Sequence, residues 1–346
     1  MKRKIKVAVV SPAFGDWGGP EVVVQNLVSE LAKKDDVDVT LFCPEDWKIG
    51  VKRIATLKQS LWNMKDFKKQ KRIIRQNYIT YSQMKVLNYQ DKFDIIHLNS
   101  QRHAYPVGKI SKIPCVLTLH SGIDKDEFEL INEAKIFTVS LTDFHDKKLD
   151  SYAIIGNGVP VKKVEYSVKK GEYFMTVARL TPQKGVDKAI KIALKAKIKL
   201  LIFGRINHAY KDYFEKEIKP FIDGKNIIYK KEVSHKKIYD YYRKAKALLF
   251  TIQEPEPFGL VLSEALICGT PIIGTKIGQM PELLGGSPKV AYLSNEMDDL
   301  VKAVKEVDEI FDRQECRNYA EKYFSSSHMA DEYIKVYQRI LALKKK

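Results

Sequence analysis

Residues 246–275 read KALLFTIQEPEPFGLVLSEALICGTPIIGT, and the fold class turns on how this stretch is divided. The first seven residues form an apolar run of strand length. Pro255, Pro257 and Gly259 then break the chain into a loop. From near Leu260 to Cys268 the pattern is helical, and Gly269 is well placed as a left-handed stop. A second strand-like run, Pro271–Thr275, follows at once. Strand, helix and strand in such close succession belong to a parallel sheet covered by helices on both faces.

Three carboxylates interrupt this otherwise apolar stretch, Glu254 and the two that matter here. Glu256 stands in the loop, just before Pro257-Phe258-Gly259, and Glu264 lies over a turn into the helix. The helix start has no Ser, Thr, Asp or Asn cap, so its first amides are left for an anion. A carboxylate offers two acceptors and no donor, which suits vicinal hydroxyls: sugar hydroxyls for Glu256, the two hydroxyls of a ribose for Glu264.

The same alternation runs through the whole chain. IKVAVV (5–10), VDVTLFC (37–43), FDIIHL (93–98), CVLTLH (115–120) and AKIFTVS (134–140) read as buried strands, and Val23, Leu27 and Leu31 mark one face of an intervening helix. EYFMTVAR (172–179), KLLIFG (199–204) and NIIYK (226–230) restart the pattern. The polar, basic segment 157–171 carries both Gly and Pro and reads as a linker. The expectation is therefore an α/β protein of two Rossmann-like domains, 1–160 and 161–325, facing a central cleft where open sheets bind ligands. In 326–346, Met329, Tyr333, Val336, Ile340 and Leu343 share a helical face that can pack back onto the first domain.

Two further loops carry candidate chemistry. Gly18-Gly19 after the first strand permits close backbone approach, and Pro20 suits a first helical position. This is not the dinucleotide fingerprint, and a plain tight turn explains it as well. Arg179 leaves the end of a strand and Lys184 follows just before Gly185. A guanidinium fork and a point charge together suit a diphosphate; two solvated surface cations are the alternative.

Composition narrows the partners. The chain has 346 residues, 45% of them hydrophobic, and its net charge of +17 favours nucleic acid, phosphorylated small molecules or an acidic membrane. Cys43, Cys115, Cys268 and Cys316 are dispersed, which argues against a zinc site or disulfide framework and suits a reducing cytosol. No stretch reaches the roughly 18 apolar residues of a membrane span, and the start lacks a signal-peptide core.

EPFGLVLSEALICGTPII closely resembles the Glu-x7-Glu signature of the retaining group 1 glycosyltransferases, which have two Rossmann-like domains in the GT-B fold. SPAFGDWGGPEVVVQNL is similar to that family's Gly-Gly loop, DIIHLNS and LTLHSG to its middle strands, NGV (157–159) to its linker, ARLTPQKG to its diphosphate loop and IGQMPE to a C-domain turn. The resemblance implies a nucleoside-diphosphate sugar as donor, most often UDP-linked, and a glycan or lipid-linked acceptor, with no metal or other cofactor. It implies that Arg179 and Lys184 neutralise the leaving diphosphate, helped by the amides after Gly259 and by Gly18 and Gly19. Glu264 would take the ribose, Glu256 the donor sugar, and His120 would approach the reacting carbon. Gly204, Arg205, Phe258, Leu260 and Val261 complete the expected donor site. Three positions depart from the pattern: Arg205 where a second Gly is frequent, Asn99 where His is frequent, and Gln279 where Gly is commoner.

Several signals stand apart from the resemblance. Asp36-Val37-Asp38 and Asp124-Lys125-Asp126 match an Asp-x-Asp metal pattern, the first better read as a solvated helix end. His97 reads as a hydrogen-bonded residue at a strand end. Residues 51–75 hold nine Lys or Arg against Asp66 alone, with Ile54, Leu57, Leu61 and Met64 at helical spacing. This segment is either a basic amphipathic surface for anionic lipid or a helix packed on the N-terminal domain. The expected setting is cytoplasmic, peripheral to the membrane at most. A sugar-nucleotide epimerase or phosphorylase on the same scaffold is a second enzymatic reading. A nucleic-acid-binding protein is a distant one, since no recognition motif accompanies the charge.

Overall fold

The computed structural model describes residues 3–15, 18–124, 126–147, 149–169 and 171–343, the side chains of Lys68, His235 and Lys236 excepted. Lys125 of the second Asp-x-Asp and Lys344–Lys346 thus lie outside the described residues. The chain forms two compact units: Met1–Gly158 with Ser326–Lys346, and Val159–Ser325.

The N-terminal unit contains a seven-stranded parallel sheet: β1 (Ile5–Val10), β2 (Val37–Cys43), β3 (Arg53–Ala55), β4 (Ile95–Leu98), β5 (Cys115–Thr118), β6 (Phe137–Ser140) and β7 (Ala153–Ile154). Their spatial order is β3-β2-β1-β4-β5-β6-β7, so the winding reverses between β1 and β4. The C-terminal unit holds six parallel strands: β8 (Tyr173–Val177), β9 (Leu200–Phe203), β10 (Ile227–Lys231), β11 (Ala245–Phe250), β12 (Ile272–Gly274) and β13 (Ala291–Leu293). Their order is β10-β9-β8-β11-β12-β13, reversing between β8 and β11. β4, β5 and β9 are buried along their whole length, as strands covered on both faces must be. In such sheets the crevice at each reversal, beyond the carboxyl ends of the strands, is where ligands bind.

β3, β7 and β13 are two or three residues long and were not legible as apolar runs. β3 also overturns the helical reading of 51–75. That segment contains β3, 3₁₀ turns at Leu61–Asn63 and Phe67–Lys69, and an α-helix only from Arg72 to Met84. Tertiary bonds override the helical spacing. Asp46 accepts from the Ser60 amide and hydroxyl and from the Asn63 side chain, while Leu61 and Trp62 amides donate to the Ala13 and Phe14 carbonyls. Leu61 and Phe67 are thereby buried with Ala13 and Ile79 in a small satellite core.

The terminal helix, Ser326–Leu343, belongs to the N-terminal unit and buries Met329, Tyr333, Val336 and Ile340. Leu343, expected on the same face, is exposed. The helix packs on the first helix, Gly19–Leu31, and Lys34, just past the end of that helix, pairs with Asp331. Its Tyr337 and Tyr333 hydroxyls reach the sheet. His97 Nδ1 lies 2.8 Å from Tyr337 Oη, its Nε2 2.7 Å from Thr118 Oγ1, and Thr118 Oγ1 2.6 Å from Tyr333 Oη. His97 is thus a structural residue.

Two arginines fasten the linker to the C-terminal unit. Arg317 donates to the Val161, Val164 and Ile267 carbonyls, and Arg313 to those of Ser167, Arg243 and Ala245. A guanidinium serves here because it spreads several donors over separate carbonyls.

Candidate active site

In the C-terminal unit two loops leave the neighbouring strands β8 and β11, on either side of the winding reversal. The first runs from Ala178 through a 3₁₀ turn, Pro182–Lys184, to Gly185 and the Val186–Ala196 helix. The second runs from Thr251 to Gly259 and the Leu260–Ile267 helix. They are stitched together: the Gln253 amide donates to the Gln183 carbonyl at 2.8 Å, and Thr251 Oγ1 to the Gly185 carbonyl at 2.7 Å. Gly185 has φ +60°, and a Cβ there would lie 1.9 Å from the Thr251 oxygen, so only glycine permits the approach.

This stitching brings Lys184 Nζ onto Glu256 Oε2, with both side chains only about a fifth exposed (18% and 20%). Glu256 Oε1 is buried and has no hydrogen-bond partner among the described residues. A buried carboxylate oxygen left open costs free energy that a ligand hydroxyl recovers.

The Glu256 loop is held from behind by Gln279, which is fully buried. Its Nε2 donates to the Phe258 carbonyl at 3.1 Å and its Oε1 accepts from the Glu256 amide at 3.4 Å. Phe258 is buried, its ring edge-on to Phe324 at 5.7 Å, so its side chain anchors the loop and faces away from solvent. Gly259 follows at φ +93° as the helix N-cap, with no side-chain cap. The half-buried Leu260 and Val261 therefore begin the helix with amides lacking intrahelical acceptors. Glu264 is buried one turn in, and Tyr242 Oη donates to its Oε2 at 3.5 Å. Burial first, then the Glu264 charge, raises the Tyr239 and Tyr242 hydroxyls well above their ordinary range.

Arg179 and Arg205 are exposed and lie on adjoining segments beyond β8 and β9: the Leu180 amide donates to the Arg205 carbonyl at 3.1 Å. Gly204 makes this possible. A Cβ there would stand 1.7 Å from the Ala178 oxygen, so its role is close packing of two strand ends.

Gly18, Gly19 and His120 belong to the N-terminal unit. Gly18 is the N-cap of Gly19–Leu31 at an ordinary φ of −73°. Its lack of a side chain makes room for Glu21, whose carboxylate a Cβ would meet at 2.1 Å, whereas Gly19 faces open space. Burial raises the Glu21 carboxyl to about 7. His120 follows β5, half-buried, with Nε2 at 3.1 Å from Asn99 Oδ1. Burial, then the nearby His145, holds its pKa down to about 4.

Sequence reasoning missed the work of Gln279, Asn99 and Glu21. Each is a buried polar side chain at a strand or helix end, and for Gln279 and Asn99 the signal was only a departure from the family pattern. One aspartate of each Asp-x-Asp pattern forms an ordinary ion pair, Asp38 with Lys52 and Asp124 with Arg102. Among the described residues no group of three His, Cys, Asp or Glu gathers at metal-binding distance.

Residues 17–155 match the model of Glycosyltransferase Family 4, and residues 161–323 that of the Glycosyl transferases group 1. A 41.2 kDa protein of the cps region of Klebsiella pneumoniae is 23% identical over 91% of this chain and 96% of its own. A glycosyltransferase of Methanocaldococcus jannaschii is 24% identical over 88% of each chain. Among solved structures, sucrose-phosphate synthase of Thermosynechococcus elongatus superposes with a TM-score of 0.77 at 16% identity, over 98% of this chain and 100% of its own. HepE of Anabaena, solved with UDP and glucose, gives 0.72 at 16% identity over 97% and 100%. The two family models together span nearly the whole chain, and solved glycosyltransferases superpose on almost all of it: this protein belongs to the group 1 glycosyltransferases of the GT-B fold.

Proposed function

We propose that the chain transfers a sugar from a nucleoside-diphosphate donor, UDP-linked in the first instance, to a glycan or lipid-linked acceptor. Anomeric configuration is retained and no metal takes part. The observation that carries this reading is the Lys184–Glu256 pair with Glu256 Oε1 left open beside an uncapped helix start. Lys184 and Arg179 neutralise the diphosphate with the amides of Leu260 and Val261, the Glu256 carboxylate accepts from the donor sugar, and Glu264 accepts from the ribose. Gly18, Gly19 and His120 serve the same reaction from the N-terminal unit. Stabilising the charge of the departing diphosphate is then the largest catalytic contribution. HepE, solved with UDP-glucose, supports the choice of UDP.

The acceptor side is assigned to the N-terminal unit. On the Arg72–Met84 helix Ile73 and Ile74 are exposed beside Lys71 and Arg72, and Tyr81 is exposed further along, which supports peripheral contact with an anionic membrane at its cytoplasmic face. No described helix is long and apolar enough to cross a membrane. All four cysteines are buried and no disulfide joins them, in keeping with a reducing compartment.

A thermal-shift panel of UDP, GDP, ADP and their common sugar conjugates tests the donor. Binding to the folded state alone raises the midpoint with ligand concentration. Stabilisation by UDP and its conjugates is expected; stabilisation by GDP or ADP alone overturns the choice of base, and by none of them the donor class.

A further inference from the structure

We infer that Asn99 is a positioning residue that holds His120 as the Nε2–H tautomer, so that its ring presents a lone pair on Nδ1 to a sugar hydroxyl of the substrate. The assignment to a sugar rests on the proposed function, whereas the tautomer stands on geometry alone.

β1, β4 and β5 are consecutive neighbours in the N-terminal sheet, and a short ladder ties their carboxyl ends together. Asn99, buried just beyond β4, has two chemically distinct amide ends. Its Nδ2 lies 3.2 Å from the Val10 carbonyl at the end of β1. A carbonyl only accepts, so the amide nitrogen must be the end that faces it. That choice turns Oδ1 toward His120 Nε2, 3.1 Å away. Oδ1 also only accepts, so Nε2 must carry the hydrogen. A neutral imidazole has one N–H, and Nδ1 is left with its lone pair.

The ring stays neutral because it is desolvated and faces other imidazoles. Burial and His145 hold His120 near 4, and His97, buried behind it, is held near 3. His145 is itself engaged through Nε2 with the Ser121 carbonyl at 3.1 Å. A neutral ring with Nδ1 bare accepts a hydrogen bond and gives none in that direction. Phosphate oxygens, which only accept, are poor partners for it, whereas a hydroxyl is a good one. His120 therefore reads an O–H group, and a deoxy sugar loses that contact.

The test is long-range ¹⁵N–¹H NMR on protein labelled in histidine, with the His120 signals identified by their loss in His120→Gln. In the wild type, Nδ1 should resonate as unprotonated and Nε2 as protonated from about pH 8 down to about pH 5.5. Asn99→Asp keeps an acceptor for Nε2–H but adds charge, so the ring should titrate at higher pH than in the wild type. Asn99→Leu removes the acceptor, and a mixture of tautomers should appear. A wild-type spectrum with hydrogen on Nδ1, or an unchanged tautomer in Asn99→Leu, overturns the inference; the wild-type spectrum decides even if a variant fails to fold. A separate readout addresses the sugar. Asn99→Leu should slow cleavage of UDP-glucose about tenfold while UDP affinity stays within about twofold. If the tautomer is as stated but His120→Gln cleaves UDP-glucose at the wild-type rate, the assignment of His120 to the sugar fails alone.

Discussion

Lys184 Nζ is bonded to Glu256 Oε2, while the second oxygen of that carboxylate is buried with no hydrogen-bond partner among the described residues. On the proposed function, charge compensation and ligand recognition fall to different oxygens of one side chain. Glu256→Gln keeps the shape but weakens both. Activity should fall by roughly a hundredfold or more, with UDP affinity nearly unchanged. Steady-state kinetics alongside calorimetric UDP binding check this, and retained turnover removes Glu256 from the sugar site.

Arg179 separates binding from stability. It is exposed and makes no ion pair among the described residues, so Arg179→Ala should change the unfolding free energy by no more than about 0.5 kcal/mol. Loss of a guanidinium contact to the diphosphate should nonetheless weaken UDP binding about tenfold, with a shallower salt dependence. Adding Lys184→Ala should lower both affinity and rate further. Normal UDP binding by the double variant contradicts the diphosphate assignment.

Gln279 supports the Glu256 loop from behind. Gln279→Leu fills the same space but leaves the Glu256 amide and Phe258 carbonyl without their partner, at a cost of about 1–3 kcal/mol. Because the loop then holds Glu256 less firmly, kcat should fall more than the donor KM rises. Urea melts and initial rates on the same preparation test both parts.

Gly204→Ala should destabilise the C-terminal unit by about 3 kcal/mol or more. Its φ is +149°, and the Ala178 oxygen 1.7 Å from the new Cβ belongs to backbone held by the Ala178 amide's bond to Phe203. A urea midpoint close to the wild type disproves the close approach.

The N-terminal unit should lose stability in mild acid. His97 takes up its proton near pH 3 when folded and near 6.5 when unfolded, so between these values the unfolded chain holds more protons and falling pH favours it. His120, at about 4, acts in the same direction. Glu21 acts oppositely: raised from 4.5 to about 7, its contribution is present at low pH and lost as pH rises through about 7. His97→Phe isolates one histidine. Its loss of stability between about pH 6.5 and 4 should be shallower than the wild type's, from a lower starting value because Tyr337 and Thr118 lose a partner. Urea melts at several pH values measure the slope.

The sequence by itself determined the alternation of strand and helix, the helix start at Leu260, the stop at Gly269 and the two carboxylates in their setting, because hydrophobic period, glycine and proline act over a few residues. It misjudged 51–75, where apolar residues at helical spacing answer to Asp46 and the Ala13–Phe14 backbone, partners far off in sequence. The order of strands, and with it the meeting of Lys184 and Glu256 across β8 and β11, was decided only by the tertiary structure. So were the buried amides of Asn99 and Gln279. A polar side chain's hydrogen-bond partners are chosen by which backbone groups folding brings beside it, and no local pattern carries that information.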